Sequence, residues 1–406
     1  MTAALEQDRP DTGPLPAHPA WLWPNGLGTR GLRFAARPEP GAGADAGADP
    51  QPNTEADTDA AAPVAAAQDP AGRPVGGDPP GEARIVIPEL YCPDAARDDP
   101  ALGEVVNGRL VEWAAEVGLF TGRLERLRSH RFGHLFMLAH PNCDDPDVLL
   151  AAARCGLAEW AVDDHWVDEG EDTDPNLIGA RLAMAHAVVD PVRLPPKYMG
   201  EFEKVVQREP VLRGFRSALG HLSALASPTQ VARLRHELAV MFVGYGQEAQ
   251  WRSSGRRPAV WEYLLHRYEN AFYPCMVLID PVDGYELPPH EFADPRVRRV
   301  YLYAGVANVL LNDIFSMHKE DPTDTNLPTV IAAEEGCSLQ EAVYRAAEIH
   351  DEMMHTIEAE CAALATLGSP QLRRYVKGVW DWMGGSHRWH ATSPRYHGAS
   401  QGSSGG

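Results

Sequence analysis

The sequence predicts an all-α protein in which one large helical domain follows a disordered N-terminal tract. From about Asp99 onward, apolar residues recur three and four positions apart, and almost no stretch alternates as a half-buried strand would. The first 84 residues consist largely of Ala, Pro, Gly and Asp, with few branched apolar side chains. Such a composition cannot bury enough surface to offset the entropy of ordering the chain. The 406 residues, 44% of them hydrophobic, allow a sizeable core in the remainder.

Composition divides the chain into a tail over residues 1–84, a helical domain over 85–398 and a flexible tail over 399–406. One island in the first tail, residues 20–37, concentrates tryptophans and other apolar residues among basic arginines. Apolar anchors inside a disordered tract are typical of a docking motif for another protein. The alternative, of equal weight, is that the island folds back onto the helical domain.

Ten helices are predicted within the domain, joined by short segments rich in Pro and Gly. Several begin at a proline that follows a capping residue, as at Asp145-Pro146 and Ser227-Pro228, because the first helical position needs no N–H donor. No sequence period repeats, which indicates one helical bundle and not a solenoid. The predicted helices span residues 100–118, 145–169, 175–189, 210–225, 228–253, 259–279, 295–320, 327–335, 338–367 and 371–389.

The charge balance argues against a polyanionic partner. Asp and Glu outnumber Lys and Arg by 57 to 36, a formal net charge of -21, which repels nucleic acid and anionic membrane surfaces. The six cysteines are scattered singly, as expected in a reducing cytoplasm, and Cys155 and Cys275 lie in apolar runs typical of a core. The sequence shows neither a signal peptide nor an apolar run long enough to span a membrane. We therefore expect a cytoplasmic protein that binds an anionic substrate through local cations.

Carboxylates crowd the end of the helix predicted over residues 145–169, at Asp163, Asp164, Asp168 and Glu169. Asp164 and Asp168 lie one helical turn apart on the same face, and Asp163 reaches a neighbouring position. Like charges so placed repel unless a cation lies among them, and carboxylates at a helix C-terminus also oppose the macrodipole. Oxygen donors without a His/Cys set favour Mg²⁺ or Mn²⁺ over zinc. The alternative is a solvated acidic helix end.

A second polar stripe lies on the helix predicted over residues 295–320. Asn312, Ser316 and Glu320 recur every four positions, so an amide oxygen, a hydroxyl and a carboxylate share one helix face. This spacing alone is weak evidence for a site, since it also arises by chance. Together with the acidic helix it indicates a metal site divided between two helices. Lys319, beside the stripe, could bind a phosphate oxygen as a point charge.

The strings DDHWVDE and NDIFSMHKE resemble the two metal-binding signatures of bacterial class I terpene synthases, and the resemblance covers about residues 86–398. It implies a helical bundle in which both motifs face each other and hold three Mg²⁺ ions against the diphosphate of an isoprenoid substrate. The order of the last two acidic residues differs from the DDxxxED form found within the family, which leaves open whether Asp168 or Glu169 contacts metal. The metal ligands that the resemblance implies are Asp163, Asp164, Asp168, Asn312, Ser316 and Glu320.

Other landmarks of the family have counterparts here. Arg267 resembles its diphosphate-sensing arginine, and Arg395-Tyr396 resembles its C-terminal Arg-Tyr pair. Asn270 and Ala271 resemble the kinked helix position where the family places a backbone carbonyl at the carbocation. The resemblance therefore implies diphosphate binding by Arg267, Lys319, Arg395 and Tyr396, and a catalytic set of Asp163, Arg267, Asn312, Ser316, Glu320 and Tyr396.

The activity implied is ionisation of an allylic diphosphate, followed by cyclisation of the carbocation. Aromatic faces can stabilise such a cation through their quadrupoles, although each aromatic residue taken singly is more typical of ordinary core than of a cavity lining. Pocket contour, not motif, decides the skeleton of the product. The aromatic candidates are Phe272, Tyr273, Phe315, Trp166, Trp380 and Trp389.

Other readings of the sequence compete with this one. A chain-elongating prenyltransferase normally carries a second aspartate-rich motif, which the Asn/Ser/Glu stripe replaces here. A catalytically weak cargo protein acting through its tail is a second alternative, because similar tails in the family can direct enzymes into encapsulin-type protein shells. A homodimer is also compatible with the resemblance.

Two further acidic or histidine-rich strings are given structural interpretations. Asp144-Asp145 lies where a helix starts and is interpreted as a cap. His350 and His355 are five apart, unlike the zinc-binding HExxH spacing, and are interpreted as a polar helix face.

Overall fold

A computed structural model describes residues 85–167, 175–317 and 325–397. In these three ranges every regular element is a helix, which confirms the predicted all-α class. Both predicted tails, 1–84 and 399–406, lie outside the described residues. The α-helices are α1 Pro100–Val117, α2 Leu124–His130, α3 Phe132–Ala139, α4 Pro146–Val162, α5 Pro175–Val189, α6 Pro196–Arg208, α7 Pro210–Ser223, α8 Pro228–Ser254, α9 Val260–Arg267, α10 Tyr273–Met276, α11 Ile279–Val282, α12 Pro289–Phe292, α13 Pro295–Ser316, α14 Leu327–Glu335, α15 Leu339–Leu367, α16 Pro370–Thr392 and α17 Pro394–His397.

The predicted capping residues begin the helices as expected. Asp145 precedes Pro146, and its carboxylate accepts a hydrogen bond from the backbone N–H of Asp147, which confirms its interpretation as a cap. Ser227 begins α8 with a reciprocal capping box to Gln230. Gly118 ends α1 at φ 77°, a left-handed conformation that only glycine adopts without steric cost.

The continuous helix predicted over residues 259–279 is wrong. The chain leaves helical geometry after Arg267 and resumes it in the short helices α10 and α11. Pro274 explains the break, because proline has no N–H to donate to the carbonyl of Asn270 one turn earlier. Asn270 and Ala271 therefore lie in a buried helix break, at the position predicted for a kink.

Five helices were not predicted from the sequence: α2, α3, α6, α12 and α17. Arg131 separates α2 from α3 at φ 57°, and this backbone reversal splits an apolar segment too short to show a clear period. The α12 and α17 helices are single turns, below the length at which periodicity can be read.

Helix α13 runs through the centre of the described bundle. It packs against α15, α16, α14 and α10, and most of its side chains are buried. Helix α4 packs against α1, α3 and α7, and α10 touches both α4 and α13. The two predicted metal motifs therefore begin at the C-terminal ends of two core helices that share α10 as a neighbour.

The segment before α1 is held against α15 by hydrogen bonds between its backbone and side chains of that helix. The N–H and C=O of Val86 pair with the Gln340 amide, and the N–H of Tyr91 donates to Asp351. Leu90 is buried between these ties. Cys155 and Cys275 are buried, as predicted. Across the described ranges, no helix combines the length and apolar character needed to cross a membrane.

Candidate active site

The acidic motif lies where α4 changes its winding. The α-helix ends at Val162, and Asp163–Val167 forms one turn of π-helix, a wider turn that often occurs at functional sites. Asp163 and Asp164 are half-buried, whereas Trp166 and Val167 are buried and anchor the turn. Asp168 and Glu169 lie outside the described residues.

Arg395 faces this acidic turn from the C-terminal end of the chain. Its guanidinium lies 3.9 Å from the carboxylate of Asp164, and 17% of its side chain is exposed. Burial opposes its charge, but interactions with Tyr396, Asp164 and Asp163 outweigh burial and raise the pKa of Arg395. A permanent cation therefore lies beside the carboxylates.

The second motif lies on the last turns of α13. The Nδ2 of Asn312 donates to the Tyr396 hydroxyl at 2.7 Å and lies 3.2 Å from Nε2 of His390. One turn later Ser316 is fully buried, and its Oγ has no hydrogen-bond partner among the described residues. A buried hydroxyl normally has such a partner, so this oxygen is a group that a bound ligand would satisfy. Lys319 and Glu320 lie outside the described residues.

The Arg395-Tyr396 pair joins the two motifs. Arg395 contacts the acidic turn, and Tyr396, the next residue, contacts Asn312. The preceding Ser393 fixes the pair, because its Oγ donates to the carbonyl of His130 at 3.0 Å. The described members of both motifs therefore lie on either side of one Arg-Tyr pair.

Arg267 lies beside the second motif and is held by a buried network. Its Nη2 lies 2.8 Å from Asp313, and its Nε donates to the Tyr263 hydroxyl, which in turn donates to Asp313. Burial disfavours this cation, but Asp313 and its neighbours more than compensate and raise the pKa of Arg267. Tyr263 and Asp313 were not predicted as site residues, although Asp313 directly follows Asn312 in the motif string.

A second missed network joins the helix break to the acidic turn through α8. Glu248 accepts a hydrogen bond from Nδ2 of Asn270 at 2.9 Å and lies 3.6 Å from Arg252. Arg252 also donates to the backbone carbonyl of Val167, in the π turn. Burial would raise the pKa of Glu248, but His266, Arg267 and Arg252 lower it, so this carboxylate stays ionised.

Stacked aromatic rings lie beneath the two motifs. Trp160, one turn before Asp163 and Asp164, packs on Phe132 at a tilt with 4.1 Å between ring centroids and meets Phe272 edge-on at 6.0 Å. Trp160 is only partly buried. The cluster continues through Trp389, His390, Tyr396 and Phe315.

The aromatic candidates divide between this cluster and the general core. Phe272, Phe315 and Trp389 belong to the cluster. Tyr273 instead packs on Tyr301 and donates to a backbone carbonyl. Trp166 is buried in the π turn, and Trp380 is half-buried. Trp160 was missed, although its i, i+4 spacing to Asp164 would have placed it on the motif face.

The oxygen donors at this place fit a hard divalent cation. Mg²⁺ accepts ligands of the kinds present here, which are two carboxylates, an amide and a hydroxyl. Among the described residues, no cluster of His and Cys side chains could hold zinc. The rejected zinc string holds no such site, because His350 is buried and hydrogen-bonded to Asp351 at 2.8 Å. Its interpretation as part of a polar helix face was therefore wrong for His350 and holds for the exposed His355.

An all-α bundle with an aspartate-rich turn facing an Asn/Ser motif across an Arg-Tyr pair defines the class I terpene synthases. A family model described as terpene synthase family 2, C-terminal metal binding, matches residues 155–356. The chain belongs to this family of terpene synthases.

Individual relatives are more specific. The chain is 38% identical over 314 residues to a 2-methylisoborneol synthase of Saccharopolyspora erythraea, covering 76% of this chain and 89% of the relative. It is 34% identical over 401 residues to a 2-methylisoborneol synthase of Streptomyces griseus, covering 95% and 83%. The crystal structure of 2-methylisoborneol synthase from Streptomyces coelicolor A3(2) in complex with Mg²⁺ and 2-fluoroneryl diphosphate is similar with a TM-score of 0.73 and 34% identity, over 77% of this chain and 98% of that one.

Proposed function

We propose that this chain is a Mg²⁺-dependent terpene cyclase that converts 2-methylgeranyl diphosphate and water to 2-methylisoborneol and diphosphate. One observation carries the proposal: Arg395 and Tyr396 bring the acidic turn and the Asn/Ser motif to one place. The named relatives support the particular product. Sequence strings such as HKEDPTDTNLP and WHATSPRYH, which resemble segments of 2-methylisoborneol synthase, support it as well.

The ligand assignment follows the two motifs. Asp163, Asp164 and Asp168 would hold two Mg²⁺ ions, and Asn312, Ser316 and Glu320 would hold a third. When bound, the ions neutralise the charge that develops on the leaving diphosphate. The Oγ of Ser316 supports this assignment, because a metal bond would satisfy an atom that has no hydrogen-bond partner in the described part of the chain.

Cationic side chains bind the diphosphate in this scheme. Arg395 approaches from the acidic side, and Arg267 approaches from the Asn/Ser side, where Asp313 fixes its guanidinium. Lys319 adds a point charge, and the Tyr396 hydroxyl can donate to a phosphate oxygen while it accepts from Asn312. Positive charge on both sides of the diphosphate leaving group favours heterolysis of the C–O bond.

The carbocation then needs a surface that stabilises charge and excludes water. The rings of Trp160, Phe272 and Phe315 present quadrupolar faces without a nucleophile. In this proposal the helix break at Asn270 and Ala271 would present a backbone carbonyl dipole to the same cation, as the family resemblance implies. The trans allylic cation is first isomerised through its tertiary allylic form, because a trans double bond prevents closure of a six-membered ring. Ring closure to a bicyclic cation and attack by one water, whose proton passes to the released diphosphate, complete the reaction.

The domain assignment extends this proposal. Residues 85–398 would form the complete catalytic domain, and residues 20–37 would act as a docking motif, with an encapsulin-type shell as one candidate partner. Homodimer formation and a cytoplasmic location are part of the same proposal.

The direct test is product analysis. Purified protein is incubated with Mg²⁺ and, separately, 2-methylgeranyl, geranyl and farnesyl diphosphate, and volatiles are identified by gas chromatography and mass spectrometry. We expect 2-methylisoborneol from the methylated substrate and loss of turnover with EDTA or in Ser316→Ala. A different terpene as the sole product would refute the substrate assignment, and turnover that survives chelation would refute the metal-dependent mechanism.

A further inference from the structure

His390 is a fully buried histidine beside the second motif. It lies on α16, which packs against α13, and its Nε2 is 3.2 Å from Nδ2 of Asn312. Its Nδ1 is 2.8 Å from the backbone carbonyl of Ser386 and 3.3 Å from the Ser386 hydroxyl. Both ring nitrogens therefore have defined polar neighbours.

These neighbours determine which nitrogen carries the proton. A backbone carbonyl can only accept, so Nδ1 of His390 must be the donor to Ser386. In the neutral ring, Nε2 is then an acceptor. An acceptor at 3.2 Å requires the NH₂ end of the Asn312 amide, not its oxygen, to face His390.

The same logic fixes the orientation of the Asn312 amide. Side-chain amide oxygen and nitrogen are distinguished by their hydrogen-bonding partners, and here the acceptors are Nε2 of His390 and the Tyr396 hydroxyl at 2.7 Å. Both acceptors are hydrogen-bonded to Nδ2 of Asn312, so the amide oxygen faces away from them. Only the oxygen of an amide can ligate a metal ion, so the orientation matters for binding.

We infer that His390 is a positioning residue that turns the Asn312 amide so that its oxygen, not its nitrogen, is presented to a divalent cation. The inference rests on the proposed function, because it deepens the role of Asn312 there. His390 would not contact the cation itself. It acts through hydrogen bonds of the kind that commonly orient metal ligands from behind.

The test compares variants that keep or remove the acceptor at Nε2. His390→Phe and His390→Leu remove it, whereas His390→Gln supplies an amide oxygen that can accept from Asn312. Binding of Mg²⁺ in the presence of inorganic diphosphate is measured by titration calorimetry, and Tm is measured in parallel. We expect the affinity for Mg²⁺ to fall about 10–100-fold in the apolar variants and to be largely restored in His390→Gln.

His350→Leu is the matched control for loss of a buried, hydrogen-bonded histidine. His350 is fully buried on α15 and hydrogen-bonded to Asp351, so its loss should lower Tm without weakening Mg²⁺ binding. A double-mutant cycle with Asn312→Ala then separates positioning from general damage. If His390 acts through Asn312, His390→Phe causes little further loss of Mg²⁺ affinity in the Asn312→Ala background.

Two results would overturn the inference while leaving the proposed function intact. One is wild-type Mg²⁺ affinity in both apolar His390 variants. The other is an equal loss of affinity with and without Asn312. If the wild-type protein itself fails to bind Mg²⁺ with diphosphate, the proposed function fails as well, and the two failures are thereby distinguished.

Discussion

Glu159 is a buried carboxyl one turn before Asp163 in α4. It is 3% exposed, and it accepts a hydrogen bond from Sγ of Cys275 at 3.3 Å. Burial raises the pKa of Glu159 from 4.5 to about 8, because the charged form loses its hydration. The residue is therefore largely neutral in the folded protein near neutral pH.

This raised pKa predicts a pH-dependent stability. The unfolded chain releases the Glu159 proton near pH 4.5, but the folded chain keeps it until about pH 8. The favourable contribution of Glu159 protonation to the free energy of unfolding is therefore fully present below pH 4.5 and is lost as pH rises to about 8. Glu159→Gln, which keeps an acceptor for Cys275, should raise Tm relative to wild type more at pH 8 than at pH 5.

Thermal unfolding across pH 5 to 8 measures this difference, with Glu201→Gln as the control. Glu201 is an exposed glutamate with a side-chain exposure of 74%, so its variant should keep the wild-type profile. A Glu159→Gln profile parallel to that of wild type would show that Glu159 is ionised in the folded state.

At this scale the sequence could identify ligand types but not their partners. The oxygen-bearing residues Asn312 and Ser316 could be read from their spacing, since i, i+4 positions share a helix face. Tyr263 and His390 could not. Tyr263 lies 50 residues before its partner Asp313, and His390 lies 78 residues after its partner Asn312, so each contact arises only through packing of α9 or α16 on α13. Periodicity carries no information about contacts between helices that are distant in sequence.

At the level of helices, the break between α9 and α10 shows where the apolar sequence pattern fails to predict the structure. The apolar period continues through residues 259–279 and predicts one helix. Pro274 and the close packing of α10 on α13 override it. The π turn at Asp163–Val167 is equally invisible to a pattern search, because one inserted residue changes the winding without changing composition.

The close approach of α10 and α13 predicts the effect of a single methyl group. A Cβ on Gly305 would lie 2.0 Å from the ring of Tyr273, which is buried and hydrogen-bonded at its hydroxyl. Gly305→Ala should therefore destabilise the fold by about 1–3 kcal/mol through overpacking and should lower turnover, since α10 borders the site. Denaturant unfolding and product formation measure the two effects.

Gly246→Ala in α8 is the matched control. A Cβ at Gly246 meets nothing within 4 Å, so alanine should stabilise the helix by about 0.5–1 kcal/mol. Equal stability of Gly305→Ala and Gly246→Ala would contradict the close packing of α10 against α13.

For the molecule as a whole, helical periodicity was enough to predict the all-α class, because the pattern extends over nearly the entire domain. It did not predict that α13 would be the central helix. The position of a helix in a bundle depends on how the apolar faces of many helices pack together. The segment before α1 was likewise unreadable as structure. It is extended, and its backbone pairs with side chains of α15, more than 250 residues away.

That segment sets where the chain can be shortened. Ile85 and Ile87 pack against the core, Leu90 is buried, and Tyr91 is tied to Asp351 and Glu358. Deletion of residues 1–84 leaves these contacts intact. We therefore expect the shortened protein to keep the wild-type Tm and the wild-type turnover of its isoprenoid diphosphate.

Deletion of residues 1–92 is the control, because it removes the segment as well. Loss of the buried Leu90 side chain alone should cost about 1.5–3 kcal/mol of stability, and the hydrogen bonds to Gln340 and Asp351 are lost with it. Tm should fall only in this longer deletion. If removing residues 1–84 already abolishes turnover, the tail contributes to catalysis, and the assignment of the complete catalytic domain to residues 85–398 is wrong.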